Sequence, residues 1–373
     1  MADAELAVAT GAIVAYRLFD VAYAIDLGQA ETIWASRARS ASTRGKLSAT
    51  PPKAVAFGVP PLALTLDPLT LTLDDAPVQA AVTVRLHDFG VISMALRIPA
   101  NAMSWSAFTA RLNAMDRCVG PGAESAVWSG LLDDVRGVLD GALIRPTSAT
   151  LDEDFLIGVV NAFSERLTSA ELQERVDLVP LLSGEQRRLS EHARQDLLRQ
   201  RFSYYTDDLV ALTWDRAFIY EPRGDSDVID VLEVANAQLL EMRYYDELLD
   251  AELPRMYDLV EATRRTMTLL ASRRFANLAR RLYTLVAEVT ELTEKVDNAL
   301  QVTEDVYLAR VYAAALELFR VPAVRAAVER KLAIIRDTYA ALYDEASGSR
   351  AELLEIAILV LIALEIVLAL VRP

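Results

Sequence analysis

Val78–Ile98 reads VQAAVTVRLHDFGVISMALRI, and the reading of this stretch decides the fold. Two runs, Val78 to Leu86 and Gly90 to Ile98, are rich in β-branched and aliphatic residues. They flank His87-Asp88-Phe89, and Gly90 supplies a position that tolerates positive φ. The expected structure is an antiparallel strand pair joined by a tight turn. His87 falls at that turn. A proton-transfer role for it would need a nucleophile or an orienting carboxylate nearby. Asp88 is adjacent in sequence, but neighbours in a strand point to opposite faces, so His87 reads as a structural turn residue.

Working outward, residues 1–150 read as a mixed α/β domain. Ala12 to Phe19 is β-rich, Val21 to Leu27 continues the pattern, and Gly28 to Ala41 looks helical. Short apolar runs between Pro60, Pro61 and Pro68 suit strands near a sheet edge. Ser104 is a plausible N-cap for a helix through Arg117, and Glu124 to Leu139 forms a second helix. Residues 151–226 continue the α/β region, with a strand over Asp154 to Ala162 and a charged helix over Glu185 to Gln200. Here aromatic and acidic residues interleave: Tyr204, Tyr205, Asp207, Asp208, Trp214 and Asp215. Such a set could bind a cation or do acid–base work, or be core aromatics with capping aspartates.

From residue 227 to 348 the chain reads as helix only. Val228, Leu232, Ala235, Leu239 and Met242 form a core stripe at helical spacing, while Asn236, Arg243, Glu247 and Asp250 share another face. Pro254 restarts the helix. Ala271, Phe275, Leu278, Leu282, Leu285, Val289, Leu292 and Val296 then form a heptad seam of about four repeats. An antiparallel coiled-coil hairpin turning at Asn298 to Thr303 is expected, although an intermolecular coiled coil fits the same seam. Pro322 opens a further helix, and Gly348 marks a hinge.

Residues 349–373 read as a C-terminal transmembrane helix. Leu353 to Val371 is almost wholly Leu, Ile, Val and Ala, and 19 helical residues span roughly 28 Å. Glu355 and Glu365 are the acidic breaks, and a carboxylate in hydrocarbon calls for a partner. With no basic leader at the N-terminus, a tail-anchored membrane topology with a cytoplasmic body is expected. The fold class is thus α+β: a mixed α/β domain, a long helical region and one membrane span.

Composition excludes several functions. The net charge is −15, with 38 basic against 53 acidic side chains, which argues against a nucleic-acid partner held by its phosphates. One cysteine, Cys118, allows no internal disulfide, and with His87 and His192 as the only histidines no His/Cys metal site is expected. No glycine-rich phosphate loop occurs, and no cofactor is expected.

Val231-Leu232-Glu233-Val234-Ala235-Asn236-Ala237-Gln238-Leu239-Leu240-Glu241-Met242-Arg243-Tyr244-Tyr245-Asp246 resembles a segment of the bacterial branch of the required-for-meiotic-nuclear-division family, also called the YagE family. So do Arg201-Phe202-Ser203-Tyr204-Tyr205 leading to Asp208, then Trp214-Asp215-Arg216-Ala217, and His87-Asp88-Phe89-Gly90-Val91, where the family often has an aromatic in place of His87. Leu361-Ile362-Ala363-Leu364-Glu365 resembles the family's terminal apolar segment. The resemblance implies an α/β N-terminal part, a long helical C-terminal part and often one C-terminal membrane span. Eukaryotic members include a mitochondrial inner-membrane protein that supports mitochondrial translation. The family supplies no catalytic residues to carry over; Tyr204, Tyr205, Asp208, Trp214, Asp215, Asn236, Gln238, Glu241, Arg243, Tyr245 and Asp246 mark its shared surface.

The leading functional expectation is a non-enzymatic, membrane-anchored scaffold or adaptor that self-associates through its helices and tail. The rival is an enzyme or nucleotide-dependent regulator using the cluster at 204–215 or the Asn236/Glu241/Arg243 face, which must then converge on a pocket. A translation-linked ribosome or RNA partner is a third, opposed by the charge.

Overall fold

The computed structural model describes residues 6–37, 42–44, 55–123, 125–147, 151–185, 187–224, 227–264, 270–297, 300–302, 306–341, Ile358, Leu359, Leu361 and Ile362. In chain order the elements are β1 (Ala7–Asp20), β2 (Ala22–Ile25), α1 (Leu27–Arg37), β3 (Ser42–Arg44), β4 (Val55–Phe57), β5 (Leu62–Leu73), β6 (Ala76–Leu86), β7 (Val91–Pro99) and β8 (Met103–Ser104). There follow α2 (Trp105–Val119), α3 (Val127–Leu139), β9 (Leu143–Pro146), β10 (Asp152–Phe163), α4 (Ser169–Arg175), α5 (Val179–Ser183), α6 (Glu191–Leu197), β11 (Arg201–Phe202), β12 (Leu209–Leu212) and β13 (Arg216–Tyr220). The last are α7 (Val228–Arg264), α8 (Leu270–Asp297), β14 (Leu300–Val302) and α9 (Val306–Leu318), and residues 321–341 are also helical.

The chain divides into two compact units that alternate along the sequence. One comprises Met1–Glu241 and Lys295–Pro322, the other Met242–Glu294 and Ala323–Pro373.

The first unit is built on a sheet of ten described strands in the order β11-β12-β13-β10-β1-β7-β6-β5-β3, with β8 paired to β1. All pairs are antiparallel except β10 with β13. The expected hairpin forms between β6 and β7, with Leu86 opposite Ile92. Gly90 closes it at φ 100°, and a Cβ there would lie 1.8 Å from the Ala22 carbonyl oxygen. No other residue type fits that turn.

β1 lies at the centre, between β10 and β7, and is buried on both faces from Gly11 to Asp20 apart from Arg17. This is why it reads as a nearly continuous apolar run and not as an alternation. On one face Ile13 and Ala15 join Phe108, Leu112 and Met115 of α2 in the main core. Each of the larger side chains in this set contributes roughly 1.5–3 kcal/mol by leaving water. Ser104 caps α2 as expected, its hydroxyl accepting from Ala107 N–H at 3.2 Å.

In the second unit the remainder of α7 presents Tyr245, Leu249 and Met256, and α8 presents Leu278, Leu282 and Val289, as buried side chains. Those three α8 positions belong to the heptad seam and are buried within this chain. Glu252 of α7 pairs with Arg281 of α8 at 3.3 Å, and Lys331 pairs with Asp246 and Asp250 at 2.7 and 2.6 Å.

Several expectations are corrected. Pro254 does not restart a helix: α7 runs through it, because a single missing N–H at an exposed position removes one hydrogen bond without forcing the chain to turn. Residues after 227 are not all helix. Leu300–Val302, expected in a hairpin turn, form β14 and pair with β4. The charged helix starts at Glu191, where Ser190 caps it.

The membrane span is the largest correction. Among the described residues no helix is long and apolar enough to cross a membrane. The longest, α7 and α8, carry charged side chains throughout. The apolar run at 349–373 is itself broken by Glu355 and Glu365. Of that segment only Ile358, Leu359, Leu361 and Ile362 are described, as helical and exposed; the rest, Glu355, Glu365 and the Gly348 hinge included, lies outside the described residues. The transmembrane helix, the tail-anchored topology and the membrane localisation with a cytoplasmic body therefore do not stand.

Candidate functional site

The residues singled out from sequence separate into distinct places. Asp208 is buried, and its carboxylate accepts the backbone N–H groups of Tyr204 and Tyr205 at 2.8 and 3.1 Å. It is a turn-forming residue. The two tyrosines are exposed and meet edge-on at 4.8 Å, with the Arg223 guanidinium 4.3 Å from the Tyr205 ring centre and Tyr307 beside Tyr204. Gln238 and Glu241 are buried in the first unit's part of α7. In the second unit Arg243 is exposed, Tyr245 is buried and Asp246 pairs with Lys331.

Trp214 and Asn236, by contrast, come together. Both line a cavity of about 920 Å³ in the first unit. The β12–β13 turn carries Trp214, a residue 71% exposed, while Asn236 is buried on α7 and donates from Nδ2 to the Asp154 carbonyl at 3.2 Å. The start of β10 contributes Glu153 and Asp154, α6 contributes Asp196, and the end of α9 contributes Glu317 and Phe319. Phe319 packs edge-on against Phe155 at 5.3 Å. Four carboxylates face two guanidinium groups, those of Arg199 and Arg320. The carbonyl end of α9 adds partial negative charge. Burial pushes the Asp154 carboxyl up to about 6; Arg17 opposes this, and Asp215 adds to it.

A second polar site is buried at His87 and Glu233 and opens to solvent at Arg85 and Asp230. Arg85 on β6 and Ser93 on β7 are opposite each other in register, so they share a sheet face with Tyr16 of β1. Against that face α7 sets Asp230 and Glu233. The Arg85 guanidinium pairs with Asp230 and, at 2.7 Å, with Glu233 Oε2. His87 is buried, stacked on Phe89 at 5.0 Å, with Nε2 3.8 Å from Glu233 Oε1. Those two atoms and the Ser93 hydroxyl are buried without a hydrogen-bond partner among the described residues. Burial pushes the Glu233 carboxyl up, but the Arg85 guanidinium outweighs it and holds the group below its usual value. Burial pushes Asp230 up, against Arg85.

Sequence reasoning assigned His87 to the turn and looked for its carboxylate at Asp88. The carboxylate that approaches it is Glu233, which the sequence offered only as an acidic residue inside a run that is otherwise almost wholly apolar, Val231 to Ala237. That placement was the available signal: an ionic group set directly among Val231, Leu232, Val234 and Ala235 is held in the interior by a partner.

The architecture is that of an α+β protein with one broad, largely antiparallel sheet. The family model described as "Uncharacterized protein MJ0711, N-terminal domain" matches residues 10–227, and the chain belongs to that family. A relative carrying the name "Uncharacterized protein MJ0711", from Methanocaldococcus jannaschii, is 28% identical over 196 residues. The matched part is 52% of this chain and 59% of the relative. No solved structure matches. This corrects the resemblance to the required-for-meiotic-nuclear-division family. Its short phrases were distinctive only in combination, and the matched stretch of 218 residues includes His87–Val91 and Arg201–Ala217. The membrane span that it implied falls with it, and the translation role loses the resemblance on which it rested.

Proposed function

We propose that this protein binds a small organic cation in the Trp214 cavity. The observation that carries the proposal is the convergence of an exposed indole with an acidic lining in one cavity of about 920 Å³. A cation over a tryptophan face gains about 0.5–2 kcal/mol, more where water is excluded. Glu153, Asp154, Asp196 and Glu317 supply the charge, and Phe319 supplies apolar surface. Binding, and not covalent catalysis, suits this lining, which offers no serine, cysteine or histidine among the described residues.

Trp34 and Trp128 are buried and Trp105 is half-buried, so ligand-dependent fluorescence reports mainly on Trp214. Benzyltrimethylammonium is expected to change the emission saturably, and neutral benzyl alcohol is not. Trp214→Leu and Glu317→Gln should each weaken binding about tenfold, some 1.4 kcal/mol. Since Asp154 loses its proton near pH 6, affinity should rise between pH 5 and 7. Equal binding of the alcohol, or an unchanged affinity in Trp214→Leu, would end the proposal.

A second reading is self-association, favoured by four apolar side chains of the C-terminal segment, Ile358, Leu359, Leu361 and Ile362, that are 48–65% exposed. Apolar surface of this kind is suited to a second copy of the chain. Sedimentation that finds a monomer at every concentration, in wild type and in Leu359→Lys/Leu361→Lys alike, would remove it.

A further inference from the structure

A groove of about 950 Å³ lies elsewhere in the first unit, between α2 and the segment that leads from α5 into α6. Its lining is unlike the rest of this acidic chain. Arg117, Arg187, Arg188 and Arg194 contribute four guanidinium groups, against the carboxylates of Asp177, Glu185 and Glu191. Arg194 and Asp177 satisfy each other at 3.1 and 3.3 Å, and the Asp177 carboxylate also accepts the Val179 N–H. Arg117 reaches Asp74 at 2.8 Å, but both side chains are more than half exposed, so that pair is weak. Arg187 and Arg188 are exposed on the groove's rim.

Behind the wall sits a further cation. Gly184, at φ 67°, is packed so closely on the Arg216 guanidinium that a Cβ there would lie 2.5 Å from Nη2. Arg216 is 6% exposed and already paired with Asp116 at 2.6 Å, so it braces the wall and the groove's own arginines carry the charge. The groove is also amphipathic. Trp105, Pro180 and Leu189 give it an apolar side, and the Thr109 hydroxyl in its wall is a buried polar atom without a hydrogen-bond partner among the described residues.

We infer that this groove binds a small organic anion: a flat apolar body carrying a phosphate or carboxylate. The apolar body lies along Trp105 and Pro180, and the acidic group is held by Arg187 and Arg188, since guanidinium pairs with both oxyanions in a two-pronged geometry. The site takes the opposite charge to the Trp214 cavity and is independent of it.

The test is fluorescence titration of the full chain with mant-ADP, a fluorescent nucleoside diphosphate, followed by displacement with 2-naphthoate or adenosine. Saturable binding of mant-ADP is expected, weakened at least tenfold in Arg187→Glu/Arg188→Glu and unchanged in Trp214→Leu. Displacement by naphthoate assigns the site to aromatic acids in general; ADP alone as a competitor restricts it to phosphates. Displacement by adenosine as effective as by ADP overturns the inference, as does equal affinity in the charge-reversed variant or no binding of either anion. The substituted arginines are exposed, so the variant is expected to keep the wild-type circular dichroism and melting curve, and a loss of binding is read only from a variant that does.

Discussion

Two arginines stand on opposite faces of one sheet, and they are solved differently. Arg216 on β13 is well partnered: it donates to Asn113 at 2.6 Å, to the Leu181 carbonyl at 2.9 Å and to Asp116 at 2.6 Å. Arg85 on β6 has two carboxylate partners, yet its surroundings keep three buried polar atoms without a hydrogen-bond partner among the described residues, on His87, Ser93 and Glu233. Asp116 is 36% exposed and can turn to water, whereas Glu233 is 1% exposed and cannot. The difference teaches that ion pairing alone does not describe a buried charge; what counts is whether every polar atom around it has somewhere to go.

The comparison can be broken most directly at Glu233. Glu233→Leu leaves the half-buried Arg85 with Asp230 alone and should cost roughly 3–5 kcal/mol in urea unfolding of the full chain. Wild type should also lose stability as the pH falls below about 4.5, because a carboxyl held below its ordinary value in the folded state binds fewer protons there than when unfolded. That loss should shrink in Glu233→Leu. A cost under 1 kcal/mol would mean that Glu233 is not buried as a charge.

Arg216→Met should cost less, about 2 kcal/mol, since Asp116 can rehydrate and only the Asn113 and Leu181 acceptors are stranded. If its midpoint shift exceeds that of Glu233→Leu, the ranking of the two faces is reversed. Thr213→Ala sharpens the well-partnered side. The hydroxyl accepts the Arg216 N–H at 3.0 Å and lies 3.1 Å from the Asp215 carboxylate, so about 1 kcal/mol should be lost. Ser93→Ala is its counterpart on the other face and should cost about 0 or stabilise slightly, because an unpaired hydroxyl leaves the interior. Equal costs for Thr213→Ala and Ser93→Ala would show that Ser93 has a partner after all.

Much of the sheet was legible in the sequence because its signals are local. The β6–β7 hairpin announced itself through two apolar runs around a glycine, and α2 through its serine cap. The pairing of β14 with β4 was not legible: three residues such as Leu300-Gln301-Val302 carry no periodicity, and their partner is more than 240 positions away. The tail misled for a related reason. Apolar composition shows that a segment avoids water, but not what covers it. At the candidate site, Trp214 and Asn236 were named for their sequence context, and the fold brought them to one cavity. The Glu153, Asp196 and Glu317 lining was invisible, since acidic residues at three distant positions look like ordinary surface charge until the chain closes around them.

β14 and α9 also set the order in which the molecule can be made. The first unit draws on Lys295–Pro322, so it cannot be completed while the chain is still emerging at residue 241. A nascent chain ending at 227 would carry the sheet but neither Asp230 nor Glu233, leaving Arg85 exposed to water on an uncovered face. Synthesis of some 95 more residues separates that moment from closure. During that interval the sheet face that α7 covers has no cover from this chain, and its exposure to a chaperone that shields apolar strands is expected to end only when the segment at 295–322 has emerged.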